Sequence, residues 1–122
     1  MGVGPSEVVT PADLEQRIAF YTDQINQGVA IISEREGEAK RLQRELDREF
    51  ARQYLAADGP QTEKRYRAEL ETAQLRADAE VAQLAFRHAE RQMRSLETQL
   101  SAWQTIAKSL LASMGPATGR GR

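Results

Sequence analysis

Ala56-Ala57-Asp58-Gly59-Pro60 is the one strong helix breaker inside the body of this chain, and its reading decides the fold. Gly tolerates left-handed geometry, and Pro cannot continue a preceding helix, so the run predicts a tight turn over residues 58–61. On either side the sequence is helix-forming. Upstream, Thr10-Pro11-Ala12-Asp13 reads as a helix start: the Thr hydroxyl can cap a free N–H, Pro suits the first turn, and Asp complements the positive end of the dipole. Apolar positions then fall at Leu14, Ile18, Tyr21, Ile25, Ile32, Ala39, Leu42 and Leu46, with Gly28 and Arg35 at two weak points of the same register. Steps of four and three are the seam of a coiled coil, and the four-four spacing through Phe50 and Tyr54 predicts a local stutter.

Downstream, apolar positions fall at Tyr66, Leu70, Ala73, Ala77, Val81 and Ala85, then at Met93, Leu96, Leu100, Trp103, Ala107, Leu110 and Met114, the last seven again alternating three and four. Gly115-Pro116 supplies the stop. The expected organisation is therefore a flexible N-terminus over residues 1–9, a helix over 10–57, the turn, a second helix over 62–114, and a flexible Gly/Arg tail over 115–122. Two long helices joined by a few residues lie antiparallel. The fold class expected is all-α, a long antiparallel two-helix hairpin, with Ile18 opposite Leu100, Ile25 opposite Met93 and Leu42 opposite Ala77. Gly28 and Gly37 weaken the first helix, so a three-helix arrangement with Leu14–Gln27 as a separate segment is the alternative.

A hairpin buries one stripe per helix and is marginal unless it covers more surface. Phe20, Val29 and Ile31 of the first helix, with Phe86, Trp103, Ile106 and Leu111 of the second, are the candidate interface residues near the open end. They predict association into a homo-oligomeric helical bundle or docking of a protein partner.

Chemistry is constrained mainly by absence. The chain of 122 residues has no Cys and a single His, so thiolate zinc sites and two-His metal sites cannot be built within one chain. Neither a phosphate-binding Gly-rich loop nor a dinucleotide fingerprint is present. Glu34, Glu36 and Glu38, spaced by two, scatter around a helix instead of converging. The expectation is no catalytic residue, no cofactor, no metal and no small-molecule substrate, hence no enzyme. The longest apolar runs, Val29 to Ile32 among them, are only four residues and far too short for a membrane span, and Met1 to Glu7 carries no signal-peptide pattern. A cytoplasmic protein is expected, in the host cell if phage-encoded.

Net charge is −1, but Lys40, Arg44, Arg48 and Arg52 recur every four residues. With Arg120 and Arg122 of the tail they are the candidate nucleic-acid contacts. Glu45, Asp47 and Glu49 interleave, which is also the ordinary pattern of a solvated helix face.

From Glu38 through Leu110 the chain combines a charged Ala-rich helix, the Tyr54–Pro60 turn, Lys64-Arg65, Ala68-Glu69-Leu70 and Leu75-Arg76. In these features it resembles small helical-hairpin proteins encoded by bacteriophages and prophages, especially those of actinobacteria, found near recombination and single-strand-DNA genes. The resemblance brings no catalytic residues. It implies a non-enzymatic accessory protein that binds a protein partner in DNA recombination or replication through a coiled-coil hairpin. A nucleic-acid-binding helical protein using the basic stripe, and a scaffold or assembly chaperone for virion proteins, are the other two readings.

Overall fold

The capping pattern at Thr10 is formed as its side chains suggest. In a computed structural model, which describes residues 9–114, the Asp13 N–H donates to Thr10 Oγ1 at 3.2 Å and the Thr10 N–H donates to Asp13 Oδ2 at 3.1 Å. This reciprocal box satisfies a free donor at the first turn and starts α1, Pro11–Ala56. The Thr10 N–H, then its side chain, and to a smaller extent Arg17, hold the Asp13 carboxyl below its ordinary value. A lowered folded pKa means that the unfolded chain binds more protons, so this contribution is complete above the ordinary carboxylate value. It is lost as the pH falls through the folded one. Thr10→Ala is expected to cost about 1 kcal/mol in a denaturant titration. The destabilisation by Asp13→Ala is expected to shrink in acid, read as converging melting temperatures.

Helix α1 is unbroken through Gly28 and Gly37, so the alternative with Leu14–Gln27 set apart does not hold. The chain reverses at Gly59, whose φ of +104° is left-handed and suits a residue without a β-carbon. Pro60 then caps α2, Gln61–Glu71, with the Lys64 N–H on its carbonyl at 3.0 Å. The second helix expected over 62–114 is divided at Thr72, and α3 is Ala73–Met114.

The division is a kink in the backbone angles, with Thr72 at φ −106° and ψ 10°, and it has a local cause. Thr72 Oγ1 donates to the Ala68 carbonyl at 2.7 Å, the back-bonding that bends helices, and the residue is fully buried. Arg76 reaches back to the Glu69 carbonyl at 3.4 Å and to Thr72 Oγ1 at 3.4 Å. The ladder itself continues, with Thr72 N–H on Ala68 O at 3.1 Å and Arg76 N–H on Thr72 O at 2.9 Å. Among the described residues there is no strand, and the packing of α1 and α3 is consistent with a helical hairpin.

Two compact units divide the chain, one joining the stretch up to Val29 with that from Gln92, the other Ala30–Arg91. In the first, Leu14 is buried, Ile18, Ile25, Met93, Leu96, Leu100 and Leu110 are half-buried, and Gly28 is a point of close contact. A β-carbon there would lie 2.8 Å from Met93 Cε. Met93 thus meets Gly28, where spacing had suggested Ile25, and the apparent weak point of the seam is the recess for a thioether. In the second unit the core is Ala39, Leu46, Ala57, Ala68, Thr72 and Ala79 with Ala89, so it is small side chains that set the spacing. Arg35, the other weak point, donates to the Ala85 carbonyl at 3.5 Å. No clean stutter follows Leu46: Glu49, Phe50, Gln53 and Tyr54 are all half-buried.

Gly37 has nothing within 4 Å of where a β-carbon would sit. Gly37→Ala is therefore expected to stabilise by about 1 kcal/mol through helix propensity. Gly28→Ala should gain less, because the Met93 methyl must move first; melting temperatures of the two variants compare them directly.

Candidate functional site

Side-chain burial along α2 and α3 shows which face looks inward. Ala68, Thr72, Leu75, Ala79, Ala82, Phe86, Ala89, Met93, Leu96, Leu100, Trp103, Ala107 and Leu110 are buried or half-buried, and they step four and three without a break. Tyr66, Leu70, Ala73, Ala77 and Val81, expected in the seam, are exposed. The inner stripe over this stretch takes a different register, built mostly from small residues that let helices approach closely.

The candidate interface residues separate into two groups. Phe86 and Trp103 belong to the inner stripe and are half-buried, so they are not free surface. The guanidinium of Arg17 lies over the Trp103 ring at 4.8 Å, and Arg17 Nε is buried without a hydrogen-bond partner among the described residues. The ring face is what offsets the lost hydration of that cation. Phe20, Val29, Ile31, Ile106 and Leu111 are exposed. Val29 follows the seam residue Gly28 and Ile31 precedes the seam residue Ile32, so they flank opposite edges of α1. Ile106 and Leu111 flank opposite edges of α3 in the same way. Phe20 stands on neither edge and packs edge-on against Tyr21 at 5.2 Å. Neither helix presents these residues on one face.

The basic stripe is partly occupied by its own helix. Lys40 pairs with Glu36 at 3.5 Å and Arg52 pairs with Glu49. Between them Arg41 bridges Glu38 at 2.8 Å and Glu45 at 3.0 Å, which lowers the Glu38 carboxyl below its ordinary value. Among the described residues Arg44 and Arg48 are paired with no carboxylate. Arg120 and Arg122 lie outside the described residues, as do residues 1–8 and the rest of the tail. Near the turn, Tyr54 stacks on Phe50 at 6.4 Å and receives Lys64 over its ring at 4.9 Å, so this tyrosine is engaged in packing.

Most surface grooves are furrows of single helices, while one of about 190 Å³ lies between α1 and α2 beside the turn, lined by Tyr54, Gln61, Thr62 and Arg65. A furrow of about 340 Å³ is lined by Asp13, Gln16, Arg17, Phe20 and Tyr21, all of α1, and another by Glu63, Tyr66, Arg67, Leu70 and Glu71, all of α2. His88 is exposed. No cluster of three or more His, Asp or Glu among the described residues could hold a metal ion, and none of the described helices is long and apolar enough to cross a membrane. No family model matches the chain, and neither a curated protein nor a solved structure matches it.

The feature that spacing alone missed is the reverse face of α2 and α3. Tyr66, Leu70, Val81 and Leu84 stand in solvent there, the leucines at 78% and 58% exposure. Its signal was present as a second set of heptad steps, parallel to the alanine-rich one.

Proposed function

We propose that this chain is a non-enzymatic helical hairpin that works by binding another protein, an accessory of the phage type that the resemblance implies, acting in DNA recombination or replication in the cytoplasm. One observation supports the binding role: a contrast in side-chain size between inside and outside. Among the described residues Leu14 and Leu46 are the only large apolar side chains that are fully buried, the others being Ala and Thr72, while Phe20, Val29, Ile31, Leu55, Ile106 and Leu111 stand in water. Large exposed apolar side chains add nothing to the stability of a lone hairpin. They do add contact energy when a partner covers them. The narrower assignment to phage recombination rests on the resemblance alone.

The test is a tagged pull-down from host cells, treated with nuclease and read by mass spectrometry, with the wild-type chain beside a Phe20→Ser/Ile106→Ser/Leu111→Ser variant. One protein retained after nuclease and lost from the variant is the expected result. Recovery that disappears with nuclease, and that Arg44→Glu/Arg48→Glu also abolishes, replaces this reading by the nucleic-acid one. Retention of nothing specific at any salt concentration overturns it.

A further inference from the structure

Every seventh residue on the outer side of α2 and α3 forms one column: Glu63, Leu70, Ala77, Leu84, Arg91, all exposed. Inner residues at four-three spacing keep facing α1, so residues seven apart on the reverse side keep facing directly away from it. The kink at Thr72 does not shift this register, since Ala68, Thr72 and Leu75 remain in the inner stripe. Read from either end, the column runs charge, Leu, Ala, Leu, opposite charge.

We propose that a second copy of this chain docks antiparallel on this column, about a twofold axis at Ala77. Turned end for end, Leu70 of each copy meets Leu84 of the other, and Glu63 of each meets Arg91 of the other. Ala77 meets itself, and its small side chain lets the two helices come close. Beside the column Val81 falls opposite Ala73 and Tyr66 opposite His88, while Arg67 opposite Arg87 is an unfavourable pair at the rim. A parallel arrangement would set Glu63 against Glu63 and Arg91 against Arg91, so charge selects the antiparallel one. An unrelated partner requires no such reversal symmetry; an isologous contact does. The proposal is independent of the partner proposed above, which is tested on Phe20, Ile106 and Leu111.

The chain has no Cys, so single cysteines can be placed without background. Ala77→Cys is expected to give a disulfide-linked dimer on mild oxidation, because only a residue on the axis meets its own copy within bridging distance. Leu70→Cys alone should not cross-link, but mixed with Leu84→Cys it should. By light scattering, the wild-type chain is expected at twice the mass of Leu70→Glu/Leu84→Glu, with circular dichroism showing that this variant keeps its helices. Glu63→Arg should weaken the dimer about tenfold, the order expected of a close charge pair, and Glu63→Arg/Arg91→Glu should restore it. A wild-type chain monomeric at every concentration overturns the proposal. A dimer that neither cross-links at residue 77 nor responds to the charge exchange overturns it equally.

Discussion

Leu46→Asp is expected to remove about 3–5 kcal/mol of stability, the penalty of leaving a buried charge unpaired, and with it most of the folded population. Leu46 is 7% exposed, in the last quarter of α1 and in a unit whose other fully buried residues are mostly alanines, so a carboxylate placed there loses its hydration. Thermal melts followed by circular dichroism read the effect. The control is Arg44→Glu, two residues away and exposed, which is expected to change stability by no more than about 0.5 kcal/mol. Equal melting temperatures for Leu46→Asp and the parent chain would refute the seam described for α1. Leu100→Asp, in a half-buried position of the other unit, should follow the same direction with a smaller loss.

Ala68→Leu is the second large effect, and its direction runs against hydrophobicity. A leucine carries more apolar surface, but Ala68 is fully buried and its carbonyl accepts both the N–H and the hydroxyl of Thr72. Three extra carbons must displace α1 or distort the kink. Such overpacking costs roughly 1–3 kcal/mol. Denaturant titration should show a lower midpoint for Ala68→Leu and an unchanged one for Ala51→Leu, which adds the same carbons at an exposed position of α1. A stabilised Ala68→Leu chain would mean that the alanine stripe is not the close contact.

The spacing of α1 was legible because its seam is marked by large branched side chains, Leu14, Ile18, Ile25, Ile32 and Leu46, which stand out against a polar background. The turn was legible for a different reason: few residues other than Gly adopt the backbone angles found at Gly59. Over residues 66–85 the same method failed, since it ran the seam through Tyr66, Leu70, Ala73, Ala77 and Val81, where the structure buries Ala68, Thr72, Ala79 and, in part, Leu75 and Ala82. Burial there follows closeness of approach, and an alanine stripe carries little hydrophobic signal. The kink at Thr72 was hidden because a hydroxyl bonded to its own helix leaves the heptad steps intact. Gly28 read as a defect until Met93 was seen to fill the space that its missing β-carbon leaves. For the candidate surfaces, spacing placed Phe20, Val29, Ile31, Ile106 and Leu111 off the seam, as the structure does. It also put Phe86 off the seam, where the structure has it half-buried in the inner stripe, and counted Trp103 both in the seam and at the interface, where the structure has it in the inner stripe. The reverse column from Glu63 to Arg91 was in view throughout, but it gains meaning only once the alanine face is known to be the inner one.

Trp103, the only tryptophan of the chain, sits in the unit formed by the chain ends and lies beneath the Arg17 guanidinium. The molecule therefore has an indole reporter for one of its two units and none for the other. Indole emission during heating follows separation of the α1 start from the α3 end, whereas far-ultraviolet ellipticity averages over all the helices. Superimposable traces mean that the two units melt together; an early change in emission means that the open end unzips while the turn end is still helical.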